Sequence, residues 1–139
     1  MSVFIDTGIF IAFHNTRDKN HGSALELIRR AVSGEFGILY TSDYVFDESV
    51  TTALIRTKNP SIAQGLGEMI LGGSKTPLFI VMLRVDDEIF RKSWEFFTKY
   101  AGKGLSFTDC ATIALMKSVG IEKVMSFDAD FDGIVPRIH

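Results

Sequence analysis

The residues best suited to chemistry are acids, and they recur where apolar runs end. Asp6 closes SVFID, Glu48 lies in the early turns of YVFDESVTTALIRT, Asp109 opens the apolar segment after LSFT, and Asp128 follows KVMSF. If these side chains share one cleft they repel strongly. Two unit charges 4 Å apart cost about 4 kcal/mol at an effective dielectric of 20. Such a cluster either takes up protons at raised pKa or binds a divalent cation. Oxygen ligands without Cys or His favour Mg²⁺ or Mn²⁺. These ions hold phosphate oxygens, lower the pKa of bound water and steady a leaving oxygen in an in-line displacement. Phosphodiester hydrolysis is the chemistry that suits them.

Each acid also has a purely structural use. Asp6 before Thr7-Gly8 starts a turn or caps a helix. Glu48 competes with adjacent Asp47 for the inward position, and the apolar face Phe46, Val50, Ala53, Leu54 does not choose between them. Ser106-Phe-Thr-Asp109 reads as a capping box. The run SFDADFDG matches the opening of a calcium-binding EF-hand loop, but the twelfth position counted from Asp128, which should be a glutamate, is His139. Pro136 intervenes and no exiting helix follows, so that reading fails. Asp130 and Asp132 then read as turn residues in solvent. The argument for chemistry is the recurrence of acids at one edge of a fold.

That edge follows from the order of elements. SVFID (2–6), GILYT (37–41), LFIVML (78–83) and KVMSF (123–127) read as strands, the third apolar enough to be covered on both faces. Between them lie helical patterns: a short one from Thr7, then 21–33 with Ala24, Leu25, Ile28 and Val32 on one face and Gly34 as its stop. Residues 44–57 follow with Ser42 as N-cap; 61–73, 86–100 and about 107–119 complete the set. Strands separated by helices give βαβ units and a mainly parallel sheet with helices on both faces. Ligands of such sheets sit beyond the strands' carboxyl ends, where connectivity places Asp6, Glu48 and Asp128. Asp109 joins them if its helix begins above the same edge.

Composition narrows the classes. One domain spanning 1–139 is expected from 139 residues, and 46% hydrophobic content with 12 Phe argues against disorder. A net charge of −2 announces no basic field for nucleic acid, though phosphates held through metal ions need none. The lone Cys110 permits no internal disulfide, and it and three scattered histidines make no zinc site. The start MSVFIDTG lacks the features of a signal peptide and no run reaches membrane-spanning length, so a cytoplasmic protein is expected. No phosphate-binding glycine loop occurs. Trp94, Phe96, Phe97 and Tyr100 are types that stack on bases, but their helical spacing assigns them to the core or to a dimer interface. Arg56, Lys58, Arg84, Lys99 and Lys103 are candidates to touch phosphates, against a default of simple solvation.

Over nearly its whole length the chain resembles the PIN domain family, which includes the VapC-type toxins of prokaryotic toxin–antitoxin pairs. VFIDTGIFIAF is similar to the family's opening strand with its first acid at Asp6. TSDYVFDESVT is similar to the second block, with the glutamate at Glu48. LSFTDCATIALMKSVGI is similar to the third, with Asp109 beside Ser106 and Thr108, and VMSFDADF to the last, with Asp128 and Asp130 as an auxiliary. The resemblance implies a three-layer α/β/α sandwich and a Mg²⁺- or Mn²⁺-dependent endoribonuclease acting on RNA. It also implies frequent homodimers and a small antitoxin partner. Asp6, Glu48, Asp109 and Asp128 would hold the metal, directly or through water. Thr7, Ser106 and Ser126 would position a water or a carboxylate through their hydroxyls. Gly8 and Cys110 depart from the family pattern without removing an acid. The alternatives are a non-catalytic scaffold of the same fold and a Mg²⁺-dependent aspartyl phosphatase. The phosphatase needs a second Asp two residues after the first, where this chain has Gly8.

Overall fold

A computed structural model describes residues 1–73, 75 and 78–139. The chain alternates strand and helix as its apolar periodicities require. β1 (Ser2–Ile5) leads to α1 (Thr7–His14) and α2 (His21–Val32); β2 (Ile38–Ser42) to α3 (Asp43–Thr57) and α4 (Pro60–Ile70). β3 (Ile80–Leu83) is followed by α5 (Asp87–Lys99) and α6 (Phe107–Val119), then β4 (Lys123–Met125) and β5 (Arg137–Ile138). Short 3₁₀ turns occupy Ala101–Lys103 and Ala129–Phe131.

The five strands form one sheet in the order β3-β2-β1-β4-β5, and every pairing is parallel. From β1 the chain moves outward through β2 to β3, then jumps back across to β4. Because βαβ crossovers are right-handed, this reversal puts α1–α4 on one face and α5–α6 on the other. Packing agrees: α1 contacts α2, α3 and α4, while α5 packs on α6. The result is the three-layer α/β/α arrangement. It also fixes a switch point between β1 and β4, where strand order reverses and a crevice opens beyond the strand ends.

The core is built where the sheet meets both helix layers. Val3, Phe4 and Ile5 of β1, Val124 and Met125 of β4, Phe10 of α1 and Ile113 of α6 are all essentially inaccessible. Helix starts follow local chemistry. Ser42 Oγ accepts the Val45 N–H at 3.1 Å and so caps α3, as its position in the sequence suggests. Asp86 caps α5 through the Ile89 N–H at 2.9 Å.

Four sequence expectations need correction. The buried face of α2 is Ala24, Leu27, Ile28 and Ala31, whereas Leu25 and Val32 stand out in solvent; small Ala31 permits close packing that a reading weighted toward large side chains passes over. β3 is the sheet's outer strand and only half-buried, not covered on both faces. Its apolar run starts with Leu78 tucked into the core and Phe79 exposed, two residues before the pairing begins. Of the aromatic residues expected in the core or at a dimer interface, Trp94 is 56% exposed and stacks on Phe97 at 5.8 Å between centroids, so for it only the core alternative falls. Finally, β5 lies outside the four strands that the sequence predicts. It is two residues long and forms only because β4 offers an open edge, to which Ser126 N donates onto Ile138 O at 3.0 Å.

Candidate active site

At the switch point β1 delivers Asp6 and β4 delivers Ser126. Asp6 N–H donates to Met125 O at 3.0 Å, extending the β1–β4 pairing beyond the strand ends. Ser126 Oγ then donates to Asp6 Oδ2 at 2.6 Å and accepts the Asp128 N–H at 3.0 Å. One buried hydroxyl thus orients the Asp6 carboxylate and anchors the backbone that carries Asp128. Asp6 is 6% exposed and Ser126 fully buried, so this contact is formed inside the protein, above the apolar ends of β1 and β4.

The other acids come from helix starts. α3 begins directly at the end of β2 and turns Glu48 inward, while Asp47 faces solvent and accepts the Thr51 hydroxyl at 3.4 Å. Asp109 is held by the capping box of α6: its N–H donates to Ser106 Oγ at 3.0 Å, and its Oδ2 accepts the Ser106 N–H at 2.9 Å. The capping role and the inward role are therefore not alternatives. The same box that starts the helix fixes the carboxylate at the crevice. Asp6, Glu48, Asp109 and Asp128 all line one cleft of about 610 Å³, together with Thr7, Ser106 and Ser126. Asp130 is exposed and absent from that lining; its N–H donates to Asp128 Oδ1 at 2.9 Å. Gly104, at φ +78°, lets the chain pass the cleft in a conformation that disfavours other residues.

The cleft's electrostatics carry the mark of uncompensated charge. Burial pushes the Asp6 carboxyl up to about 7; the Ser126 hydrogen bond opposes this, and the charges of Asp109 and Glu48 reinforce it. Asp109 is raised as well, first by desolvation, against its bonds to Ser106, and further by Asp128 and Glu48. Cys110, beside Asp109 in sequence, is an inert buried thiol held at about 11, chiefly by desolvation.

Among the described residues, no three of these groups stand close enough to grip a single ion as they are. Each of three carboxylates is tied to a local donor: Asp6 to Ser126, Asp109 to the Ser106 N–H and Asp128 to the Asp130 N–H. The acids ring the cleft rather than meet at a point. Its donor set nevertheless suits a hard divalent cation. It is all oxygen, none of the four acids has a basic partner among the described residues, and the buried Thr7 Oγ1 at its floor has no hydrogen-bond partner among them.

The family model that matches this chain is the PIN domain, over residues 3–135. The chain belongs to the PIN domain family. As a PIN domain it is similar to the "VapC ribonuclease" of Archaeoglobus fulgidus, at 29% identity over 94% of this chain and 80% of that protein. It is also similar in structure to Mycobacterium tuberculosis VapC20, described as a sarcin–ricin loop cleaving toxin. The TM-score there is 0.78 with 26% identity, covering 93% of this chain and 92% of the other. A toxin–antitoxin complex from Klebsiella pneumoniae shares the fold at a TM-score of 0.63 and 16% identity, over 99% of this chain and 96% of that one. No helix among the described residues of this PIN domain is long and apolar enough to cross a membrane.

Two site features escaped the sequence. Arg137 was not singled out, yet it supports the cleft from behind. It pairs with Asp132 at 2.7 and 2.9 Å and donates to Ser126 O at 3.1 Å, gripping both ends of the loop that carries Asp128. Lys19 and Thr52 line the cleft beside the acids, next to Arg56, which the sequence already offers as a candidate phosphate contact. For Thr52 the signal is present in the sequence, because Thr52 and Arg56 follow Glu48 at intervals of four residues on one helix face.

Proposed function

We propose that this PIN domain is a divalent-metal-dependent endoribonuclease and the toxin of a VapBC-type pair. The observation that carries the reading is the cleft at the β1/β4 switch point, ringed by four carboxylates that have no basic partner among the described residues. The relatives support the substrate class: one is named a ribonuclease, and another a 23S rRNA-specific endonuclease. Structural relatives that are toxin–antitoxin complexes suggest a small antitoxin as partner.

Asp6, Glu48, Asp109 and Asp128 would hold the cation, Mg²⁺ or Mn²⁺ by their hard oxygen chemistry. When bound, it neutralises the clustered charge, makes water a better nucleophile and stabilises the departing oxygen. The protein's own groups do the rest. Ser126 fixes Asp6 and Asp128 relative to each other. Asp109, held in its capping box, would orient an attacking water and take its proton. As the water oxygen bonds to phosphorus, the P–O bond to the leaving oxygen breaks, and that oxygen takes a proton from Asp109 or from solvent. Thr7 Oγ1, buried at the cleft, has no hydrogen-bond partner among the described residues.

Purified protein on mixed RNA, with Mg²⁺ or Mn²⁺ and with EDTA, tests the reading. Cleavage that requires the metal and is lost in Asp6→Asn is expected. Cleavage unaffected by EDTA would overturn the metal role. Release of phosphate from a small phosphomonoester with RNA intact would point to the phosphatase instead.

A further inference from the structure

The acidic cleft has a neighbour of opposite character. Beyond Arg56 lies a second recess, of about 480 Å³, lined by His14, Asn15, Arg17, Arg56 and Thr57. Arg56 lines both spaces and so forms the partition between them. Two walls make this continuity. On one, α3 carries Glu48, Thr52 and Arg56 at four-residue intervals along the cleft face, a progression from acid through hydroxyl to base over about 12 Å of helix. On the other, the loop between α1 and α2 turns Lys19 into the cleft and Arg17 into the recess. That loop is held by its own bonds, Arg17 N–H to Asn15 Oδ1 at 3.0 Å and Asn20 N–H to Asp18 Oδ1 at 2.8 Å. Arg17, Lys19 and Arg56 are exposed and enter no salt bridge among the described residues.

In a chain of net charge −2, unpaired bases gathered at one mouth of an acidic cleft need a reason. The negative end of the α3 dipole accounts for Arg56 alone; Arg17 and Lys19 lie outside any helix. A polyanion accounts for all three. A cation held by the acids neutralises the phosphate being cut, but the flanking phosphates still face carboxylates. Bases just outside the acid ring supply that compensation. The recess adds the side-chain amide of Asn15: its Oδ1 is taken by the Arg17 N–H, and its Nδ2 is left to meet the edge of an unpaired base, which it cannot reach in a stacked A-form duplex. Thr57 Oγ1 shapes the wall only, since it donates to Ala53 O at 2.7 Å and accepts the Asn59 N–H at 3.2 Å.

We propose that the recess behind Arg56 is a subsite for an unpaired ribonucleotide flanking the cleaved bond, with Arg56 and Arg17 clasping its phosphates. This rests on the nuclease reading and deepens it with a contact outside the cleft, made only by an RNA long enough to reach the recess.

The test measures binding to single-stranded RNA of about eight nucleotides and to a dinucleotide, in an Asp6→Asn background, across a range of salt. Arg56→Gln and Arg17→Gln each weaken the longer RNA about tenfold and flatten the dependence of log K on log salt by about one unit. Binding of the dinucleotide changes far less. Arg56→Lys keeps the charge and retains the salt slope. In the active protein, Arg56→Gln abolishes the preference for the longer substrate, a readout that loss of helix stability would not move. Unchanged affinity and slope in both variants, with the unaltered protein still cutting RNA, would overturn the subsite and leave the nuclease intact. Equal losses for a fully paired duplex would overturn the unpaired nucleotide. Loss of binding to an acidic peptide but not to RNA would overturn the proposal in favour of a protein-binding site. Failure of the unaltered protein both to bind and to cut RNA would remove the nuclease reading along with it.

Discussion

Two carboxylates on the same edge of the sheet meet opposite fates. Asp132 is gripped by the Arg137 guanidinium, whose hydrogen bonds and charge hold its carboxyl below the usual range. Asp6 is buried, bonded to the Ser126 hydroxyl and without a basic partner among the described residues, and sits near 7. The difference is not a shortage of cations, since Arg137 also reaches Ser126 O, on the far side of the residue that holds Asp6. The guanidinium serves the loop and leaves the cleft's charge uncompensated. Asp132 receives its partner from the chain, and the cleft acids, which enter no salt bridge among the described residues, are the ones proposed to take a cation from solution. That contrast separates scaffold from site better than acidity alone.

The sharpest way to break it is Asp6→Asn. If Asp6 holds the cation, the amide should lower the rate of RNA cleavage roughly a thousandfold, followed by gel assay at saturating Mg²⁺, while circular dichroism stays unchanged. A variant that cuts RNA at the original rate would make Asp6 another structural acid.

The second prediction is a pH profile of stability in the absence of metal. The Asp6 carboxyl ionises near its ordinary value when unfolded but only at about 7 when folded. Between those values the folded state binds the extra proton, so stability falls as pH rises from about 4 to about 7 and then levels off. The effect is on the order of a few kcal/mol for so buried a group. Urea midpoints across this range should trace the decline, Asp6→Asn should flatten it, and Mg²⁺ should reverse it at neutral pH. A metal-free protein equally stable at both ends would contradict the burial of an ionised Asp6.

Ser126→Ala sharpens the comparison without touching an acid. Its hydroxyl orients Asp6 and Asp128 together. Loss of such a supporting contact typically weakens metal affinity about 10- to 100-fold. Titration calorimetry with Mn²⁺ measures this directly, and an unaltered affinity would show that the two acids need no common support.

How far this was legible in the sequence depends on the range of the interaction. Asp6 and Asp128 could be placed because each directly follows a β-branched, apolar run, and strand ends in a parallel sheet share one edge. Ser42 and the Ser106–Asp109 box were equally local, and both are formed. The choice of Glu48 over Asp47 was not local: periodicity allows either, and only the docking of α3 beside α1 turns Glu48 inward. β5 and Arg137 were illegible for the same reason. Two residues carry no period, and a lone arginine near a terminus does not announce an ion pair five positions back. The expected tight convergence of the acids was also overestimated, because the backbone and hydroxyl donors that draw each carboxylate aside appear only once the loops are folded.

The smallest expected effect tests the scaffold half of the contrast. Arg137→Ala removes a pair in which the guanidinium is only 9% exposed, and it frees the loop from Ser126 to Asp132. The amides of Asp128 and Asp130, now bonded to Ser126 Oγ and Asp128 Oδ1, should exchange with solvent about tenfold faster. Amides in β1 should be unaffected. Arg29→Ala is the matching control. Its bond to Glu26 is as short, at 2.6 Å, but both side chains are more than half exposed, and water replaces what is lost. If both substitutions leave exchange in the Ser126–Asp132 loop unchanged, Arg137 is no more than another surface cation. If only Arg137→Ala loosens the loop, the positions of Asp128 and Ser126 depend on a cation that never enters the cleft.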